Sequence, residues 1–413
     1  MIPPKSRRVI PIVPAPLPES DIGDAGGPLE FRTALPLSLY VHVPWCVQKC
    51  PYCDFNSHQV RENIPEADYI AALIADLESA LPQVWGRKIV SIFFGGGTPS
   101  LLSGEGIDTL LTAIRTRLPV LPDAEITLEA NPGTVEAGKF AAFHAAGVNR
   151  LSLGIQSFNP EHLKALGRIH DDKEARRAIE IATRHFDNFN LDLMYGLPEQ
   201  TIDEALSDVE QALTFAPTHL SCYQLTIEPN TAFAAAPPSL PDPDRCADMQ
   251  ESIETRLAAA GFVHYETSAF SRPDRMCRHN LNYWTFGDYL GIGAGAHGKL
   301  TLHDGRSWEV RRQMRWKQPK QYLAKLGEAA PLQDEFVVPA SDLPFEFMMN
   351  ALRLNQGFDA SLFEARTAQR LSTIVSILRK AESEGLIARE AGRIAPTKHG
   401  QRFLNRLLEM FLE

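Results

Sequence analysis

Long hydrophobic runs are missing from this 413-residue sequence: no stretch approaches the 18 or so apolar residues that a spanning helix needs, which excludes a helical membrane protein. Positive charge is not in excess either. Lys and Arg number 41 against 51 Asp and Glu, a net charge of −10, so a nucleic-acid backbone is excluded as the main partner and any basic surface must be local. Cysteine is scarce, six in the chain, too few for a disulfide scaffold of this length, and a reducing, cytoplasmic compartment is expected. Arg7 and Arg8 precede an apolar stretch, but Pro11, Pro14, Pro16 and Pro18 deny it the helical core of a signal peptide. Residues 1–36 are expected to form a Pro-rich disordered extension. The remaining length suits two or three domains with sizeable cores.

Six short β-rich runs follow: 38–43, 88–94, 125–130, 149–155, 189–195 and 219–227. Helical patterns lie between them. From Pro65 to Leu81, Tyr69, Leu73, Leu77 and Leu81 recur at four-residue spacing. Gly104 to Leu118, Val135 to Ala146, Asp171 to His185 and Thr201 to Phe215 repeat the pattern more loosely. Strands alternating with crossover helices predict an α/β fold with a parallel sheet, either a partial barrel or an open doubly wound sheet. Beyond a Pro-rich stretch come a helix (Arg245 to Ala259), the Gly-rich segment GDYLGIGAGAHG and a basic run from Arg306 to Lys325. A second domain is expected from 301 to 413, small and mainly helical, with a β-wing at GLIAREAGRIAPT. Its shape suggests a winged helix, and its balanced charge suits scaffolding better than DNA binding.

The strongest chemical signal is WCVQKCPYCDF, where Cys46, Cys50 and Cys53 follow the first strand as C-x3-C-x2-C. Three thiolates on one tight loop can hold three irons of a [4Fe-4S] cube and leave the fourth open to a ligand. A structural zinc site is the alternative, and Asp54 or His58 would then supply its fourth ligand. Cys46, Gly96, Glu129, Gln156, Asp192 and Thr226 each fall at or just beyond the C-terminal end of a different strand, the rim where sites of parallel α/β folds assemble.

The cysteine spacing resembles the radical S-adenosylmethionine (SAM) superfamily. In order, YVHVPWC, FGGGTPS, ITLEANP, RLSLGIQSF, LGRIH and NLDLMYGLP are together similar to the oxygen-independent coproporphyrinogen III oxidase family, which includes the HemW-type haem chaperones. The likeness runs from about Leu39 to Gly298 and continues more weakly to the C-terminus. It implies a partial (β/α)6, TIM-like barrel over residues 37–300, with a [4Fe-4S] cluster and SAM as cofactors.

Gly95 to Gly97 and Thr98 let backbone approach a ligand closely, which suits the SAM amino group; a mere strand-ending turn is the plainer reading. Glu129 and Asp192 can accept from ribose hydroxyls or an ammonium, and Gln156 and Arg168 can bind hydroxyl and carboxylate groups. The resemblance assigns all four to SAM. Tyr40 and Tyr52 flank the cluster loop and are expected beside the cofactor, with core packing as the alternative.

Phe55 stands where, by the resemblance, the oxidase pattern has a further cysteine, and RHNLNYW fits the H-N-x-x-Y-W segment of the HemW type. His279 can ligate haem iron, and Asn280, Tyr283 and Trp284 complete the expected haem site. Cys277 is either a second haem contact or, preferably, a small buried hydrophobe; His297 could face SAM or haem. The basic run could meet haem propionates or anionic lipid, but a solvated interdomain surface is preferred. The resemblance thus implies haem binding and its transfer to haem-requiring, including respiratory, acceptors, with peripheral membrane contact. Its rival is oxidative decarboxylation of coproporphyrinogen III.

Overall fold

The computed structural model describes residues 29–60, 63–134, 137–303, 305–325 and 331–412. Strands β1 (Leu37–Val43), β2 (Ile89–Gly96), β3 (Val120–Ala130), β4 (Arg150–Gln156), β5 (Phe189–Tyr195) and β6 (His219–Gln224) lie side by side, all parallel. Between them run α1 (Glu66–Val84), α2 (Gly104–Arg117), α3 (Ala137–Ala146), α4 (Asp172–Ala182) and α5 (Ile202–Thr214). Local chemistry sets the helix starts. Asp171 with Glu174, and Thr201 with Glu204, close reciprocal capping boxes on α4 and α5, and Ser103 Oγ accepts the Gly106 N–H at the start of α2. On α1 the predicted stripe of Tyr69, Leu73 and Leu77 is buried in the main core.

Side chains alternate faces along a strand, and here the alternation sorts by chemistry. Leu37, Leu39, Val41 and Val43 of β1, Leu151, Leu153 and Ile155 of β4, and Phe189, Leu191 and Leu193 of β5 are buried in the core shared with the helices. Each such side chain contributes about 1.5–3 kcal/mol of burial. The opposite face is polar: Arg150 and Ser152 of β4, Asn190 and Asp192 of β5, and His219 and Ser221 of β6 line a central cavity. The barrel is therefore a two-faced sheet curved around a polar hollow.

The sheet extends beyond the six expected units. After α6 (Pro243–Ala259), β7 (Val263–Glu266) and β8 (Ala269–Ser271) add antiparallel strands beside β6. Then α7 (Arg278–Trp284) leads into β9 (Asp288–Ile292), a seventh parallel strand, which pairs with the free side of β1. β9 lies inside the Gly-rich segment, whose glycines mask its strand pattern. Strands β10 (His297–His303), β11 (Trp308–Arg315) and β12 (Leu332–Val337) follow antiparallel, giving the order β12-β11-β10-β9-β1-β2-β3-β4-β5-β6-β8-β7. The two ends do not pair among the described residues, so the barrel is partial.

The division expected at residue 301 falls within β10, because hydrogen bonding carries the sheet on to Val337. A second core forms from residue 338 onward around Phe347, Phe358, Phe363, Leu378 and Leu407, and the wing is the pair Ile387–Glu390 and Arg393–Pro396. Of the expected extension, residues 1–28 lie outside the described residues. Residues 29–36 are packed: Phe31 and Leu35 are buried in that second core. The basic run is divided: Arg306, Lys317 and Lys320 are exposed, whereas its three central arginines are paired. Arg315 is buried on Asp76 of α1 at 3.1 Å, Arg311 pairs with Glu309 at 2.8 Å, and Arg312 pairs with Glu346. Among the described residues no helix is long and apolar enough to cross a membrane.

Candidate functional site

The cysteine loop leaves β1 and closes on its own start through backbone bonds, the segment Trp45–Cys46 pairing with His58–Gln59: His58 N–H donates to Pro44 O at 2.7 Å and Val60 N–H to Cys46 O at 2.8 Å. Asn56 Nδ2 donates to Ala294 O and Lys317 O, both at 3.0 Å, so segments more than 230 residues away hold the loop down. Cys46, Cys50 and Cys53 are half-buried free thiols at the mouth of one cavity of about 570 Å³. Burial pushes the Cys46 and Cys53 thiols up, a burden that deprotonation by a bound metal relieves. Among the described residues no three Cys, His, Asp or Glu side chains are grouped as around a single metal ion.

The glycine run serves the loop. Gly96 has φ +113°, and a Cβ there would meet the His42 ring at 2.5 Å; one on Gly97 would meet Trp45 O at the same distance. Both glycines line the cavity with Thr98. These glycines thus also let the strand end approach His42 of β1 and the start of the cysteine loop closely.

All six strand-end residues singled out above line this cavity. Gly96 N–H donates to Glu129 Oε2 at 3.3 Å. Asp192 accepts from Ser152 Oγ at 3.0 Å and from Asn190 Nδ2 at 2.8 Å. Arg168 donates to Gly154 O at 2.8 Å, to Asn131 Oδ1, and to Cys50 Sγ at 3.5 Å, which ties the rim to the loop. Gln156 sits at φ +68°, a left-handed conformation uncommon for a side-chain-bearing residue and found at sites. Burial, then the neighbouring charge of Asp192, pushes Glu129 up to about 8, and burial raises Asp192 as well. Neither carboxyl has an ion-pair partner among the described residues. Two acidic groups in that state suit a cationic ligand.

The two tyrosines separate. Tyr52 lines the cavity and packs toward Phe233, ring centroids 6.3 Å apart. Tyr40 is not part of the lining: its ring stacks on Phe93 and its hydroxyl shares a hydrogen bond with His42 Nδ1 at 3.0 Å.

The four residues expected at haem also separate. Asn280 lines the cavity, as does Cys277, whose thiol is fully buried, donates to Glu125 at 3.5 Å and is pushed up to about 12 by burial. His279 is buried behind Phe93, with Nδ1 3.0 Å from Ser91 Oγ and Nε2 without a hydrogen-bond partner. Burial lowers its pKa to about 3, so the imidazole is neutral. Tyr283 packs on Tyr289 at 4.3 Å, and Trp284 lies beneath Arg353. His297 is exposed and outside the cavity lining.

Phe55, 63% exposed, and Val47, 42% exposed, stand at the mouth. Motif reading missed Asn131, Arg150, Ser152, Asn190 and His219, all of which line the same cavity. The signal for four of them was present, since each occupies a polar position alternating with apolar ones in RLSLGI, FNLDLM or HLSC.

Residues 40–212 match the radical SAM superfamily, and residues 338–403 match the HemN C-terminal domain. The heme chaperone HemW of Escherichia coli (strain K12) is 50% identical over 378 residues, covering 91% of this chain and 98% of that protein. The protein of the same name from Mycobacterium tuberculosis (strain H37Rv) is 34% identical over 385 residues, 91% of this chain and 95% of that one. Among solved structures, coproporphyrinogen III oxidase (HemN) from Escherichia coli, described as a radical SAM enzyme, aligns with a TM-score of 0.77 at 25% identity, over 92% of this chain and 90% of the other.

Proposed function

The chain belongs to the radical SAM superfamily and, within it, to the HemW family, and from that premise we propose that it is a haem chaperone, binding haem and passing it to haem-requiring acceptor proteins. The observation that supports this most directly is the rim itself, where three loop thiols and two half-buried carboxyl groups, neither in a contact ion pair among the described residues, share one polar cavity. Cys46, Cys50 and Cys53 would hold a [4Fe-4S] cluster. Gly96, Gly97, Thr98, Glu129, Gln156, Arg168, Asp192 and Tyr52 would hold SAM, whose ammonium and sulfonium charges match the acidic pair. Bound there, the cluster supplies an electron at an open iron.

The protein's own part follows from the geometry. Arg168 fixes the Cys50 side of the loop, and Glu129 gives up its proton as a cation settles beside it. For haem, the segment from His279 to Trp284 would offer a neutral imidazole with an unused Nε2, over which Phe93 is stacked. Respiratory acceptors would bring the protein to a membrane surface from the cytoplasm. Phe55 in place of the oxidase cysteine supports delivery over decarboxylation.

The experiment is haemin titration of the anaerobically reconstituted protein, followed by mixing with a haem-free acceptor and, separately, with coproporphyrinogen III. Saturable binding and movement of the Soret band to the acceptor are expected, with no porphyrin product. Absence of haemin binding, or turnover of coproporphyrinogen III above the protein-free control, would overturn the chaperone reading.

A further inference from the structure

Strand alternation puts one strong charge deep in the barrel. Arg150 opens β4, six residues before Gln156 on the same strand, so its backbone lies roughly 20 Å below the rim at about 3.3 Å per residue, while its guanidinium charge is felt by Glu129 and Asp192. Its side chain is 2% exposed yet lines the cavity. Nε has no hydrogen-bond partner, and the nearest carboxylates, Glu125 and Asp192, favour the charged guanidinium through space without a contact ion pair among the described residues. Other buried cations here are treated differently: Arg315 sits on Asp76 at 3.1 Å and Lys299 on Asp288 at 3.0 Å. Cationic side chains buried for structure have their counter-charge in contact, because an uncompensated buried charge is costly. Arg150 does not.

The groups around it are already engaged with one another. Glu125 accepts from the Cys277 thiol and from the His279 N–H at 3.2 Å. His219 uses both ring nitrogens, Nδ1 at 2.7 Å from Asn190 Oδ1 and Nε2 at 2.8 Å from the Tyr265 hydroxyl. Asn190 Nδ2 donates to Ser152 and Asp192. Among these buried groups it is Arg150 whose Nε–H is left without a partner.

We propose that Arg150 is a ligand-binding residue, the seat of a carboxylate carried by a molecule that enters the cavity from the cluster rim. A planar fork of N–H donors matches a carboxylate bidentately. The charge balance favours a monoanion over a phosphate dianion, since Asp54, Glu129, Asp192 and Glu228 line the same cavity with only Arg150 and Arg168 as cations. Two carriers have this chemistry, the aminoacyl end of SAM and a tetrapyrrole propionate. The site stands on the cavity geometry and does not depend on haem binding at His279.

The test uses the full-length, anaerobically reconstituted protein labelled with 15N-arginine, in which the Arg150 Nε–H resonance is identified by its loss in Arg150→Lys. Sodium propionate, SAM, protoporphyrin IX and protoporphyrin IX dimethyl ester are added in separate titrations. The resonance should shift saturably with propionate and with at least one of SAM and protoporphyrin, which identifies the carrier, and should stay put with the ester. Arg150→Gln should weaken that carrier's binding by about tenfold to a hundredfold with iron content unchanged. Arg150→Lys, which keeps the charge and loses the fork, provides the same comparison if the Gln variant fails to fold. A resonance unmoved by propionate, SAM and protoporphyrin overturns the proposal. So does an equal response to the ester, or wild-type affinity in the substituted protein.

Discussion

Phe93 stacks on His279 with ring centroids 4.9 Å apart and 28° between the planes, and of the two only Phe93 faces the cavity. The imidazole is thereby shut off from the cavity by one aromatic ring, while Tyr40 and Tyr283 close its other sides. Removing the Phe93 ring should open a path to Nε2. Phe93→Ala is expected to speed haemin association and, because the ring is half-buried against the cavity, to cost less than the roughly 3–5 kcal/mol lost when a fully buried Phe is truncated. In the double variant with His279→Ala the Soret band should shift relative to the single variant. Stopped-flow absorbance measures both, and unchanged association together with an unchanged Soret position would place haem elsewhere.

Cys53→Ser should prevent assembly of the cluster. The loop's backbone anchors do not involve the thiol, so the fold is expected to persist while visible absorption and bound iron fall to background. Iron and zinc analysis after anaerobic reconstitution decides between the metals: about four irons per wild-type chain are expected, and stoichiometric zinc retained by the serine variant would refute the cluster.

Glu129 carries a pH signature. Its folded pKa, near 8, is raised above the unfolded value near 4.5, so the folded state holds the proton more tightly. The stabilisation is full below about pH 4.5 and is lost as pH rises toward 8, at up to about 1.4 kcal/mol per pH unit. Glu129→Gln should flatten the loss between these limits in denaturant titrations of the ligand-free protein. A slope identical to wild type would mean that Glu129 is already ionised in the folded state. SAM should shift the same titration downward, because a cation beside the carboxylate favours its charged form.

Asp76 collects Arg315 Nη2 at 3.1 Å, the Gly293 N–H at 3.0 Å and the Tyr322 hydroxyl at 3.0 Å, binding α1 to β9 and β11. Asp76→Ala leaves a buried guanidinium without its counter-charge and should cost about 3–5 kcal/mol. Since Gly293 lies beside Ala294, which receives Asn56 of the cysteine loop, cluster occupancy should fall as well. Chemical denaturation and iron content measure the two effects. A loss below about 1 kcal/mol would show that the pair is not structural.

Much of this molecule was legible because its signals are local. The apolar stripe Tyr69, Leu73, Leu77 is visible within one helix, and Asp171 with Glu174 marks a helix start within four residues. The strand ends that carry Cys46, Gly96, Glu129, Gln156, Asp192 and Thr226 follow from counting alternating segments, since a parallel sheet must bring such ends to one rim. Other facts depended on partners far away in the chain. β9 is a strand because β1, some 250 residues earlier, offers a free edge, and its glycines hide that from any local pattern. Arg315 is buried because Asp76 waits for it 239 positions away, which takes one member of the basic run out of solvent and into an internal ion pair. His279 lies behind Phe93, and Arg150 keeps an unpartnered Nε–H inside the barrel, only because curvature of the sheet decides which polar side chains meet each other and which meet the cavity. The sequence by itself determined the elements, the rim and the cysteine loop, whose causes are short-range. The long-range pairings, the shielding of His279 and the exposure of Arg150 to the cavity were decided by tertiary structure, through packing between segments that have no pattern in common.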